Sequence, residues 1–206
     1  MAQVDLSRRT FLIGAGCLAA GVGVGTAVRP QAAAADVLRP PGSLAEGQFA
    51  ARCIRCERCI SVCPQSILYP LGLEEGKLVV KTPAIDYAEA RCTFCDKCRQ
   101  VCPTAAIGSV DPLAPQQGRI GCAWVYEDRC LAFYEPGACG ICIDACEYGV
   151  LSFDDERRPV VNEELCNGCG ECERICPANV LTSFEGGSYR GIGVVTEAQL
   201  ARKGGA

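Results

Sequence analysis

Apart from one long run near the start, apolar residues in this chain come in short clusters between cysteines, charges and prolines. Ile67-Leu68-Tyr69, Ala105-Ala106-Ile107, Val150-Leu151-Ser152-Phe153 and Val180-Leu181-Thr182-Ser183-Phe184 each follow a cysteine-rich stretch. Leu78-Val79-Val80, Trp124-Val125-Tyr126 and Pro159-Val160-Val161 each precede one. Clusters this short, rich in branched and aromatic residues, predict short strands. Leu151 to Val161 brackets the charged stretch Asp154-Asp155-Glu156-Arg157-Arg158, which is the pattern of a β-hairpin. So little chain separates the cysteine stretches that any helix after them must be brief. The prediction is an α+β chain of short antiparallel strands and short helices. Its domains are 36–118 and 119–185, with a C-terminal tail at 186–206.

The long run is an address and stands outside the fold. Ser7-Arg8-Arg9-Thr10-Phe11-Leu12 sets two adjacent arginines before Phe11–Val28, which is the layout of a twin-arginine (Tat) signal. Those 18 residues are at the lower edge for a membrane span, and their five glycines disfavour a stable helix. Small residues at Gln31-Ala32-Ala33-Ala34-Ala35-Asp36 place cleavage after Ala35, so residues 1–35 are read as a cleaved signal peptide. A retained, weakly apolar anchor is the alternative. The expected location is periplasmic, with a peripheral seat at the inner membrane as an option. The twin-arginine route carries folded passengers, so a metal group can be assembled before export.

The chain holds 18 cysteines in 206 residues and no histidine. In a secreted chain that fraction suggests a disulfide scaffold. Their spacing suggests otherwise. Cys53, Cys56, Cys59 and Cys63 form C-x2-C-x2-C-x3-C followed by Pro64. Cys92, Cys95, Cys98 and Cys102 repeat the run before Pro103, and Cys166, Cys169, Cys172 and Cys176 repeat it before Pro177. The third group is a variant: Cys139, Cys142 and Cys146 keep C-x2-C-x3-C, the first member is displaced to Cys130, and Glu147 replaces the proline. Three cysteines at this spacing wrap a tight loop around one cubane, and the fourth ligates the neighbouring cluster in two-cluster ferredoxins. Loop N–H groups then face the cluster sulfurs. All sixteen are assigned as iron ligands of four [4Fe–4S] clusters, giving two ferredoxin-like units with two clusters each.

Zinc prefers two separated C-x2-C knuckles to an unbroken run of four. Disulfides after export are disfavoured because cysteines three apart in a tight loop are poorly placed to bridge. Cys17 leaves with the signal. Cys122 reads as a small buried hydrophobe, with substitution for Cys130 as the weaker alternative. Sequential neighbours usually pair in space, so groups one with two and three with four are favoured over a nested arrangement of one with four and two with three. Units this small bury little core, so ligation should supply most of the stability and the apoprotein should be unfolded or molten.

Composition removes other classes. A net charge of −4 disfavours a nucleic-acid binder, and without histidine the chain has neither a Ser-His-Asp triad nor a histidine-ligated haem. No dinucleotide fingerprint remains once the signal glycines are set aside. From Asp36 onward the chain has 17 basic and 23 acidic residues, and four clusters would add roughly −8. Arg52, Arg55 and Arg58 crowd group one, where charge compensation or a solvated face is favoured over a docking patch. The displaced cysteine and missing proline imply an unusual environment for the cluster of Cys130, Cys139 and Cys142. The reading is an electron carrier. A catalytic iron–sulfur enzyme and a zinc-stapled interaction module are the rival classes.

Further residues carry a family resemblance. Arg39-Pro40-Pro41-Gly42, Glu46 and Phe49 lead into Cys53-x-Arg55-Cys56, Val125-Tyr126-Glu127-Asp128 leads into Cys130-x8-Cys139, and Tyr189-Arg190 is a weaker match. Over residues 36 to 195 the chain resembles the ferredoxin-type 4Fe–4S proteins of the NapG/MauM family. That resemblance implies a periplasmic relay between a membrane-embedded iron–sulfur protein that oxidises quinol and a soluble redox enzyme or c-type cytochrome, in a nitrate reductase or methylamine dehydrogenase type of system. The alternative is the electron-transfer subunit of a membrane-bound molybdenum oxidoreductase.

Overall fold

Two rounds of one pattern make up the chain: cysteine loop, short helix, hairpin, cysteine loop, short helix. The computed structural model describes residues 36–74, 76, 79–110, 118–178 and 190–203. Segment 1–35 with Cys17, together with Leu78, Val180–Phe184 and Tyr189, lies outside them. In the first half come α1 (Glu46–Arg52), α2 (Arg58–Val62), β1 (Leu68–Pro70), β2 (Pro83–Ile85) and α3 (Lys97–Gln100). In the second come β3 (Cys122–Val125), α4 (Leu131–Tyr134), α5 (Ile141–Asp144), β4 (Leu151–Phe153), β5 (Pro159–Val161), α6 (Glu171–Ile175), β6 (Ile192–Val195) and α7 (Glu197–Lys203).

Each hairpin is antiparallel. Leu68 lies opposite Ile85 in β1–β2, and Leu151 opposite Val161 in β4–β5. The second half is closed by an outer ladder, β3–β6, with Cys122 opposite Val195 and Val125 opposite Ile192. In the first half that ladder shrinks to one bridge, Ser43 to Ile107. The expected hairpin at Leu151–Val161 is found. The strand expected at Leu78–Val80 is displaced to Pro83–Ile85. There Thr82 N–H bonds back to Val79 C=O and Lys81 is left-handed (φ 60°), so the chain turns before it can pair. The stretch expected as a tail contributes β6 and α7.

Apolar burial is modest and spread over four clusters. Several of their members are the motif cysteines themselves, so the space between the thiols is also the space around which the chain packs. One cluster joins Ile67, Leu68, Ile85, Tyr87 and Cys92 of the first half to Ile120 and Val194 of the second. Residues 34–206 accordingly form one compact unit. Among the described residues no helix is long and apolar enough to cross a membrane.

The lead-in to group one is pinned by Arg39, which is 7 % exposed. Its guanidinium forms a two-pronged pair with Glu46, with Nε to Oε2 at 2.9 Å. It also donates to Thr82 Oγ1 (2.8 Å) and Pro83 O (2.7 Å) and lies 4.8 Å over the Phe49 ring. Phe49 is fully buried against Ala106, Ile107 and the cysteines Cys53, Cys59, Cys98 and Cys102.

Candidate iron–sulfur cluster sites

The three intact cysteine loops share one backbone trace. The second and fourth residues after the first cysteine are left-handed: Arg55 (φ 59°) and Glu57 (φ 60°), Phe94 (φ 50°) and Asp96 (φ 62°), Gly168 (φ 73°) and Gly170 (φ 85°). Such alternation turns successive N–H groups to one side and makes a nest for an anion. For a residue with a Cβ the conformation costs about 1–2 kcal/mol, and Arg55, Glu57, Phe94 and Asp96 all bear that cost. Each trace feeds directly into α2, α3 or α6. The variant loop departs from it: Gly140 lies at φ −154°, α5 starts at Ile141, and Cys130 caps α4 nine residues earlier.

Four cavities lie against these loops, and each is lined by four cysteines from two loops. Cys53, Cys56 and Cys59 share one with Cys102. Cys92, Cys95 and Cys98 share another with Cys63. In the second half Cys130, Cys139 and Cys142 meet Cys176, and Cys166, Cys169 and Cys172 meet Cys146. The last cysteine of each run thus crosses to its neighbour's cavity, and the pairing is sequential: one with two, three with four. The volumes are 370, 390, 320 and 340 Å³ in that order, open solvent at the mouths included. Every described cysteine is a free thiol. Among the described residues no three of Cys, Asp or Glu stand close enough to share a single metal ion. Four sulfurs on one zinc would lie within about 3.8 Å of one another.

Electrostatics suit a group that binds thiolates. Burial, then neighbouring thiolates, push Cys59 and Cys142 up to about 12. Burial likewise pushes Cys92 to about 12 and Cys98 to about 11. An iron group must therefore displace protons from these thiols. Backbone N–H groups already reach some of the sulfurs: Phe94 to Cys92 (3.4 Å), Ala123 to Cys166 (3.3 Å) and Gly191 to Cys176 (3.2 Å). At Cys102 burial works upward, but the N–H groups of Ile107, Thr104 and Ala106 and the Thr104 hydroxyl outweigh it and lower the thiol. Cys166 is held down to about 6, first by a side-chain hydrogen bond from Cys122, whose own thiol is pushed up. Cys122 is buried, as expected, but it touches a motif cysteine and lies outside the cavity of Cys130.

The spacing did not reveal the residues that join the halves. Tyr87 is 1 % exposed and donates its hydroxyl to Gly168 O (2.6 Å). A Cβ on Gly170 would lie 2.2 Å from its ring, which together with the positive φ explains the glycine. Arg190 is buried and donates to Tyr87 O (3.3 Å), Ala88 O (3.3 Å) and Glu173 O. Glu147, the residue in place of the expected proline, pairs through both oxygens with Arg91 at 2.6 and 2.7 Å. The signals in the sequence were that replacement, the weak match at Tyr189-Arg190 and the glycines of Cys166-Asn167-Gly168-Cys169-Gly170.

Comparison with known proteins agrees with this geometry. A 4Fe–4S dicluster domain family matches twice, over residues 52–106 and 137–191, once in each half. The ferredoxin-type protein NapG of Escherichia coli is 32 % identical over 195 residues, covering 85 % of this chain and 83 % of that protein. This chain belongs to the NapG/MauM family of ferredoxin-type proteins. Its relatives include the methylamine utilization ferredoxin-type protein MauM of Methylophilus methylotrophus (31 % identical, 70 % of this chain and 68 % of that one). NapF of Escherichia coli, also named ferredoxin-type, is 32 % identical over 73 % of this chain and 86 % of its own length. The two matched segments take in every motif cysteine except Cys130 and end beyond Cys102 and Cys176.

Proposed function

We propose that this protein is an electron carrier with four [4Fe–4S] clusters, held by Cys53/Cys56/Cys59/Cys102, Cys63/Cys92/Cys95/Cys98, Cys130/Cys139/Cys142/Cys176 and Cys146/Cys166/Cys169/Cys172. The observation that carries this is the exchange of the fourth cysteine between paired loops, which gives four cavities with four thiols each. When bound, such clusters supply one-electron chemistry. The chain contributes thiolates, inward N–H groups and burial. The unbroken runs of four cysteines favour this over the zinc module, for which two separated C-x2-C knuckles are usual. Anaerobically purified protein should be brown and hold about 16 iron per chain. A colourless protein with zinc and no iron overturns the reading.

Membership of the family supports a relay between a membrane-embedded iron–sulfur quinol oxidiser and a periplasmic redox enzyme or c-type cytochrome. Charge is uneven: residues 36–118 hold nine basic and nine acidic side chains, residues 119–185 five and thirteen. A partner with a basic face is therefore steered to the second half, in a salt-dependent way. The twin-arginine segment supports export to the periplasm. Fractionation of cells expressing the chain with Arg8 and Arg9 both changed to Lys tests it: retention in the cytoplasm is expected, and unaltered export refutes it.

A further inference from the structure

The segment Tyr87 to Cys92 carries the hydrogen bonds that bring cysteine loops of the two halves together. Its last residue belongs to the cavity of Cys63, Cys92, Cys95 and Cys98, and its amide donates to Cys169 O across the junction at 2.9 Å. Cys169 belongs to the cavity of Cys146, Cys166, Cys169 and Cys172. One backbone hydrogen bond therefore joins a cysteine of each inner set. The outer sets reach the inner ones within each half, where Cys59 and Cys98 pack around Phe49 and Ile107, and Cys142 packs against the cluster that holds Cys172.

Around that bond the side chains form a clamp. The Tyr87 hydroxyl holds the carbonyl of Gly168, the residue before Cys169. Arg190 ties Tyr87 O and Ala88 O to Glu173 O, one residue past Cys172. Arg91 and Glu147, each next to an inner-set cysteine, close the solvent side. Gly170 is kept free of a Cβ so that the Tyr87 ring can seat against the loop.

We propose that the hydrogen bond from Cys92 N–H to Cys169 C=O is where electrons cross between the halves, and that Tyr87 and Arg190 are the positioning residues that hold it. This rests on the electron-carrier reading. A covalent and hydrogen-bonded path couples donor and acceptor better than a gap of the same length, so loosening the clamp should slow the crossing while leaving every motif cysteine in place.

The test is Tyr87→Phe in the iron-loaded full chain, with Arg190→Lys as a second variant should the first fail to fold. Removing the hydroxyl leaves the buried Gly168 carbonyl without its donor. Hydrogen exchange at the Cys92 amide should then rise roughly five- to hundredfold. In partly reduced samples, EPR should show a weaker magnetic interaction and slower redistribution of electrons between the halves, at unchanged iron content. Faster exchange with unaltered interaction and redistribution overturns the crossing. Unaltered exchange in both variants overturns the positioning roles. A wild-type protein without iron would instead overturn the electron-carrier reading itself.

Discussion

Arg39→Ala tests whether the lead-in to group one is held by its buried ion pair. Arg39 and Glu46 side chains are 8 % and 21 % exposed, and the substitution leaves Glu46 buried without its cation. Breaking a buried pair from one side costs about 3–5 kcal/mol. The partial exposure of Glu46 points to the lower end, about 3 kcal/mol, with lost bonds to Thr82 and Pro83 and the Phe49 contact included. If the loss falls mainly on the unfolding barrier, the rate rises by roughly two decades. The assay is anaerobic urea-induced bleaching of the visible absorbance, with EPR taken at intervals. The signal from Cys53/Cys56/Cys59/Cys102 should fade first, because Phe49 packs with three of those cysteines, Cys53, Cys59 and Cys102, against one, Cys98, of the neighbouring set. Arg202→Ala is the control: its pair with Asp36 is 60 % and 38 % exposed and should contribute about 0–1 kcal/mol. A bleaching rate within threefold of wild type, or an equal effect from Arg202→Ala, would refute the reasoning.

Cys122→Ala should lower the reduction potential of the cluster at Cys166, since a hydrogen bond that favours negative charge on that sulfur is lost; an unshifted or raised potential in EPR titration contradicts this. Glu147→Pro, which restores the motif proline, should cost less than about 1 kcal/mol and leave the iron content intact, because the Arg91–Glu147 pair is 26 % and 62 % exposed. Loss of iron on metal analysis would show that the pair holds the site. Reconstitution of the stripped protein with iron and sulfide should improve as pH rises from 7 toward 9, because the thiols of an unfolded chain titrate near about 8.5 and each proton must be displaced on ligation. A yield independent of pH in that range counts against it. Far-UV circular dichroism of the stripped protein should show no cooperative melt, and a native-like melt would mean the apolar clusters suffice alone.

Motif spacing is a local property, and what depended on it could be read from the chain. Cysteines three apart bend the loop by themselves, and Leu151–Val161 folds back on itself over a charged turn. The site was hidden wherever its partners are distant in sequence. Glu147 stood out only as a missing proline, because its partner Arg91 lies 56 residues earlier. Tyr87 looked like any aromatic residue until Gly168, 81 residues on, was found under its hydroxyl. Arg190 was weakly marked beside Tyr189, yet three carbonyls from two distant segments converge on it. The strand at Pro83–Ile85 was missed because a branched apolar run at 78–80 outscored it, whereas the turn at Lys81 and Thr82 decides which residues face β1.

The exchange of fourth cysteines also sets a timetable for biosynthesis. No four-thiol set in the first half is complete until Cys98 has emerged from the ribosome, and its partner set waits for Cys102. The second half waits for Cys172 and Cys176. At ordinary elongation rates the 74 residues from Pro103 to Cys176 take roughly 4–15 s. During that interval a nascent chain can hold a complete set of first-half thiols beside an incomplete second half, so iron inserted during synthesis would arrive in two instalments.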